Sequence, residues 1–164
     1  FPIVEHANHD VSVGFGRERR GLLHCVLRLP GSPSPLHAIC VHLGLRESHR
    51  RRQMELLCRQ VESAVPLEAP LLIAGDFNDW RLRAHEALAR CAGLREVFVE
   101  TQGRAARTFP VSWPLLPLDR IYVRNARVRA AQVLSMKPWV HLTDHAGLFA
   151  EVALAGSGGH GSAA

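Results

Sequence analysis

Four apolar residues, Leu71-Leu72-Ile73-Ala74, run into Gly75 and then into Asp76-Phe77-Asn78-Asp79-Trp80, and the rest of the chain has to be arranged around that stretch. Pro70 before the run and a helix-like segment from Arg83 to Cys91 after it leave room for a strand but not for a helix. Gly75 allows the backbone to turn sharply as the strand leaves the sheet. Asp76 and Asn78 then face one side while Phe77 faces the core. A carboxylate beside a carboxamide suits a divalent cation or a polarised water. It equally suits a plain strand-to-helix turn in which Asp76, Asn78 or Asp79 caps the next helix, and these positions by themselves leave both readings open.

The flanking sequence supplies partners for that strand. Residues 1 to 20 read as a connecting loop or hairpin with a basic run, Arg17-Glu18-Arg19-Arg20. Leu22 to Leu29 and Leu36 to Leu43 are apolar runs separated by Pro30-Gly31-Ser32-Pro33-Ser34-Pro35, which cannot continue a ladder, so an antiparallel hairpin is expected. Both runs are apolar on both faces, and each strand is expected to be covered on both sides. His42 closes the second run on the face of Ala38 and Cys40. A histidine there serves either chemistry or a structural hydrogen bond. From Glu47 to Val65 the spacing of Met54, Leu57, Val61 and Val65 is helical, with Arg50, Arg51, Arg52, Arg59 and Glu62 largely off the apolar stripe. The second helix, Arg83 to Cys91, stops at Ala92-Gly93. Leu94 to Val99 reads as a strand or turn.

Residues 100 to 118 hold Gly103, Pro110, Pro114 and Pro117 without periodicity. A loop that long inside one domain is expected to pack beside a site and face substrate. Leu118-Asp119-Arg120-Ile121-Tyr122-Val123 is a strand with a carboxylate at its start, Val128 to Leu134 a neighbouring strand, and Leu148 to Leu154 the last. Asp119 needs a partner if buried, and Thr143-Asp144-His145 is the expected source. The tail from Ala155 to Ala164 is small and polar and is expected to be disordered, with His160 incidental.

A chain of 164 residues that is 47% hydrophobic can bury one domain's core, and it holds no apolar stretch of membrane-spanning length. The net charge of +5 comes almost wholly from arginine, Lys137 being the only lysine. Arginine's fork suits phosphate oxygens, which favours an anionic, phosphate-bearing substrate unless base composition alone explains the arginine count. Cys25, Cys40, Cys58 and Cys91 lie far apart with no C-x-x-C spacing. They read as reduced core residues of a chain in a reducing compartment, the cytoplasm. No signal-peptide pattern opens the chain, and its start at Phe1 rather than methionine suggests that something upstream has been removed.

Taken in order, "VHLGLRE", "AGDFNDW", "LDRIYV" and "TDH" form a set that resembles the endonuclease/exonuclease/phosphatase (DNase I-like) superfamily over nearly the whole chain. The resemblance implies an α+β (mixed α/β) fold, a DNase I-like two-sheet sandwich flanked by helices, here lacking its N-terminal strands. Residues 1–154 would form the C-terminal two-thirds of the domain and 155–164 the tail. It also implies a divalent-metal-dependent phosphoesterase that hydrolyses phosphodiester bonds, with nucleic acid the default substrate and a phospholipid or other small phosphodiester the alternative. A third reading is an inactive fragment or binding module.

By the same resemblance, His42 contacts the scissile phosphate, Asp76 and Asn78 position the attacking water and help hold metal, and Asp119 orients His145 at the reacting phosphate. Asp144, with Asp76 and Asn78, would hold Mg²⁺ or Mn²⁺. Arg120 and Arg46 are the expected substrate-binding positions. The family's upstream asparagine and metal-binding glutamate have no counterpart motif here, since Glu5 and Glu18 sit in none. Absent strands would leave a bare sheet edge and apolar face, where self-association is expected.

Overall fold

The computed structural model describes residues 1–14 and 19–154. The expected disordered tail, Arg17 and Glu18 lie outside the described residues.

The chain opens with β1 (Ile3–Asp10), β2 (Gly21–Leu27) and β3 (Leu36–His42), each antiparallel to the last. Residues 1 to 20 therefore contribute a full strand, and the hairpin alternative holds. Helix α1 (Glu47–Ala64) then crosses over to β4 (Leu71–Asp76), which runs parallel to β3. After α2 (Arg83–Ala92), the segment expected as a strand or turn divides into a two-residue strand, β5 (Arg95–Glu96), and a short helix, α3 (Val97–Gln102). Strand β6 (Asp119–Arg124) returns antiparallel to β4 and completes a six-stranded sheet in the order β1-β2-β3-β4-β6-β5. Strands β7 (Ala126–Leu134) and β8 (Gly147–Leu154) pair only with each other. Val128 to Leu134 thus neighbours β6 in sequence but belongs to a second sheet.

The core lies on both sides of the large sheet, unequally. On one face α1 contributes Met54, Leu57 and Val61, and α2 contributes Ala84, Leu88 and Ala92, against Leu22, Ile39, Val41, Leu71, Ile73 and Tyr122. Arg83 to Ala92 ends as expected, with Gly93 in the left-handed conformation. On the other face the two-stranded sheet covers Leu72, Ile121 and Val123. It does not reach β1 to β3, where Leu23 and Cys40 are exposed. The expectation that these strands are covered on both sides is corrected: two strands give too little width to roof six.

Three further expectations change. Arg50 does not lie off the buried stripe of α1. It is buried, donates to the carbonyls of Gly44 and Leu45, and lies 4.8 Å from the Trp80 ring centroid. Gly75 stays within β4 rather than turning the chain out of the sheet, and its φ of +140° and the Val41 carbonyl, 2.0 Å from where a Cβ would stand, leave room only for glycine. The four cysteines are not all reduced and buried. Cys58 of α1 and Cys91 of α2 form a disulfide, Cys25 is half-buried and Cys40 is exposed. The helices pack side by side and bring together thiols 33 residues apart, so a reducing, cytoplasmic setting no longer follows from four free thiols. No helix among the described residues is long and apolar enough to cross a membrane.

Candidate active site

The ends of three adjoining strands put three of the expected residues in one row. In the ladder His42 of β3 stands opposite Asp76 of β4, and Asp76 opposite Asp119 of β6. The row exists because β3 and β4 are parallel, so both finish at the same end, while antiparallel β6 begins there. Backbone bonds carry the register past the strands: Leu43 N–H donates to the Asp76 carbonyl and Phe77 N–H to the Leu118 carbonyl, each at 2.9 Å.

Within the row, His42 Nε2 lies 3.5 Å from Asp76 Oδ2. The Asn78 backbone N–H donates to Asp76 Oδ1 at 2.8 Å and its side-chain amide to Asp76 Oδ2 at 3.0 Å and to the Leu43 carbonyl at 2.9 Å. Asn78 thereby fixes the carboxylate and ties β4 to the end of β3, with its own backbone at a φ of +50°. Asp79 belongs to the other reading of this segment: its Oδ2 accepts from Ala84 N–H at 2.7 Å in the first turn of α2. The stretch therefore does both things, with Asp76 and Asn78 forming the site and Asp79 holding the helix.

His145 enters from the turn before β8. Its Nδ1–H donates to Asp119 Oδ2 at 2.8 Å, which leaves Nε2 as the ring's free nitrogen. Burial by itself would lower the imidazole's pKa, but the Asp119 hydrogen bond and the charges of Asp119, Asp76 and Asp144 outweigh it and hold the value above the ordinary 6.5. At Asp76, burial and, less strongly, the Asp119 charge raise the carboxyl's pKa above the ordinary 3.8, against the Asn78 hydrogen bond.

The loop before β6 packs beside this site, as expected. Thr108, to which the sequence assigned no role at the site, joins two parts of it: Asp119 N–H donates to Thr108 Oγ1 at 3.2 Å, and Ala146 N–H donates to the Thr108 carbonyl at 2.7 Å. Phe109 lies beneath His145, with ring centroids 5.0 Å apart. Val111 N–H donates to the Asp144 carbonyl at 2.7 Å. The one available signal was a threonine in a run free of charge, where a hydroxyl needs a partner.

The two arginines separate. Arg46 is exposed at the end of the β3–α1 connection. Arg120 is 2% exposed, and its guanidinium donates to the carbonyls of Pro117, Asp119 and Asp79. The expectation that Arg120 binds substrate is corrected, since its donors face inward and pin the start of β6 to the loop after β4 that bears Asn78.

The donor set expected for Mg²⁺ or Mn²⁺ is incomplete in these residues. Asp144 is exposed on its turn, both Asp76 oxygens accept from Asn78, and among the described residues no three His, Cys, Asp or Glu side chains are arranged to hold a metal ion. The residues present do not by themselves fit a divalent cation.

The sequence profile of the Endonuclease/Exonuclease/phosphatase family matches residues 1–145. The Uncharacterized protein YbhP of Escherichia coli (strain K12) is 50% identical over 154 residues, 94% of this chain and 60% of that protein. The chain thus spans about three fifths of the length of the curated relatives it matches. Among solved structures, a mannosyl-6-phosphatase from Bacteroides thetaiotaomicron superposes with a TM-score of 0.76 at 18% identity, covering 93% of this chain and 67% of that one. D. rerio TDP2 complexed with single strand DNA product gives a TM-score of 0.70 at 18% identity, covering 92% and 68%. At such identities the two superpositions speak to the fold alone.

Proposed function

The chain belongs to the endonuclease/exonuclease/phosphatase family, and from that premise we propose that it carries the phosphate-handling row of a hydrolase acting on phosphodiester bonds. The observation that supports this most is the alignment of His42, Asp76 and Asp119 across three adjoining strands, with His145 clamped to Asp119 at 2.8 Å. Hydrolysis needs an in-line oxygen nucleophile and donors for the charge that builds on the phosphoryl oxygens. Asp76, oriented by Asn78, takes the proton of the attacking water as its oxygen bonds to phosphorus. The bond from phosphorus to the ester oxygen breaks on the opposite side, and that oxygen takes a proton from solvent and leaves as the alcohol. His145 and His42 donate to the non-bridging oxygens, and Asp119, whose hydrogen bond favours the charged imidazole, keeps the His145 ring from rotating. Arg46 meets the substrate from the exposed rim.

A requirement for Mg²⁺ or Mn²⁺ is part of the proposal for a form of the protein that also carries the upstream glutamate the family resemblance calls for. Asp144 would be this chain's contribution to it, and no step above depends on the ion. The arginine excess makes nucleic acid the first substrate class to test. A phospholipid is the second, favoured by the apolar loops around the row.

The decisive assay is hydrolysis of bis-p-nitrophenyl phosphate by this chain and by its His145→Ala and Asp76→Asn variants, with and without Mg²⁺ or Mn²⁺. Loss of about a hundredfold or more in either variant is expected. Turnover unaffected by His145→Ala would end the proposal. Calorimetric titration of the two ions into the chain and into Asp144→Ala assigns the cation's share.

A further inference from the structure

A closed ring of hydrogen bonds runs behind the Asp119–His145 pair, and one residue closes it. Thr108 is 0% exposed, so its hydroxyl has to find a partner inside the protein. That hydroxyl accepts from the Asp119 N–H at 3.2 Å, while the Thr108 carbonyl accepts from the Ala146 N–H at 2.7 Å. Asp119 Oδ2 in turn accepts from His145 Nδ1–H at 2.8 Å. Thr108 therefore grips the backbone at both ends of the pair, on β6 at Asp119 and on the turn before β8 next to His145, two places 26 residues apart in the chain.

The residues that follow Thr108 reinforce the grip. Val111 N–H donates to the Asp144 carbonyl at 2.7 Å, so both chain neighbours of His145, Asp144 and Ala146, are bonded to residues 108–111. Phe109 lies against the imidazole, and the Thr108 and Phe109 N–H groups both donate to the Leu116 carbonyl, at 2.9 and 3.1 Å, which folds the loop back on itself. From Thr108 to Leu118 no side chain is charged and only Ser112 carries another hydroxyl. Thr143 and Asp144 are exposed, and a turn of that kind left to itself would let the ring drift, which at a reacting group costs rate steeply.

We propose that Thr108 is a positioning residue for the Asp119–His145 pair: its hydroxyl fixes the backbone that carries the carboxylate, its carbonyl fixes the backbone that carries the imidazole, and His145 Nε2 is thereby aimed before substrate arrives. The consequence for turnover rests on the phosphoester reading above. The positioning does not, because it is read on the ring with no substrate present.

The test is NMR of the intact chain without substrate or divalent cation. The His145 Nδ1–H proton, identified by its loss in His145→Ala, should exchange slowly with solvent in the wild-type chain, as should the Asp119 and Ala146 amides. Thr108→Val keeps the carbonyl and the outline of the side chain but removes the acceptor, and circular dichroism checks its fold. In that variant exchange of the His145 Nδ1–H should quicken about tenfold, with the ring nitrogen shifts moving toward mixed tautomers. Thr108→Ser, which restores an acceptor, should return both. With bis-p-nitrophenyl phosphate, kcat should fall about tenfold in Thr108→Val while KM stays within about twofold, and kcat should recover in Thr108→Ser. Slow exchange and a single tautomer in a folded Thr108→Val, with only the melting temperature lowered, would make Thr108 a purely structural residue and overturns the proposal. Thr108→Ala is read in the same way if Thr108→Val does not fold. Whatever the variants do, an Asp119 or Ala146 amide that exchanges at solvent rates in the wild-type chain means that the ring is not closed, and this too overturns it. Quickened exchange in Thr108→Val, with no turnover of any phosphodiester by the wild-type chain, would leave the positioning standing and remove the phosphoester reading.

Discussion

Asp119 and His145 are joined by one hydrogen bond across a gap of 26 residues, and that bond has a pH signature. The folded-state pKa of His145 lies above 6.5, so the pair's contribution to stability is fully present below 6.5, falls as pH rises through the folded value, and is absent above it. An NMR titration of the His145 ring should place its midpoint above 6.5, and Asp119→Asn should lower it. A midpoint that Asp119→Asn leaves in place would mean that the bond does not hold the ring. The raised Asp76 value acts at the other end of the scale: the acid limb of activity should lie above the ordinary aspartate range. Two arginines make a second contrast. Arg120→Ala leaves the carbonyls of Pro117, Asp119 and Asp79 without their donor and should cost about 2–3 kcal/mol of stability in a denaturant titration. Arg46→Ala, at an exposed position, should stay within about 0.5 kcal/mol while raising KM for a phosphodiester. The reverse pattern would restore Arg120 as the substrate contact.

At the scale of elements, α1 and α2 are held twice, by the apolar contacts of Met54, Leu57, Ala84 and Leu88 within one core and by the Cys58–Cys91 disulfide. Because a cross-link over 33 residues restricts the unfolded chain, reduction or Cys58→Ser should lower stability by about 3–4 kcal/mol on the loop-entropy account. Thermal unfolding with and without dithiothreitol reads this directly, and labelling with iodoacetamide before reduction should modify only Cys25 and Cys40. Equal melting temperatures under both conditions would mean that packing alone keeps the helices together. The β3–α1 connection is tied to the loop after β4 by Arg50 over Trp80, so the same helix pair that covers the sheet also braces one of the loops beside the site.

For the molecule as a whole, the uneven roof matters most. The small sheet covers β4 and β6, whereas β1 to β3 turn an open face to solvent and β1 is the sheet's edge strand among the described residues. Exposed strands of this kind readily pair with another chain. Sedimentation velocity of the chain should show association that grows with concentration, and Leu23→Glu, on that open face, should reduce it. A monomer at every concentration would mean that the face is stable in water as it stands.

The sequence by itself determined the elements and the candidate residues. Period-2 and period-3.6 apolar patterns, proline stops and the Gly93 cap are local, and they placed β2, β3, α1, β4, α2, β6 and β8 close to where they lie. The motif order likewise picked out His42, Asp76, Asn78, Asp119 and His145. Only the tertiary structure decided what these residues do to one another. Strand register, a non-local property, put His42, Asp76 and Asp119 in one row. Loop closure buried Arg120 against three carbonyls and Arg50 beneath Trp80, because an arginine goes inward only where distant backbone oxygens converge to meet it. Helix packing joined Cys58 to Cys91. The width of the second sheet left β1 to β3 open, since an apolar pattern states that a face prefers cover and not whether the fold has enough strands to cover it.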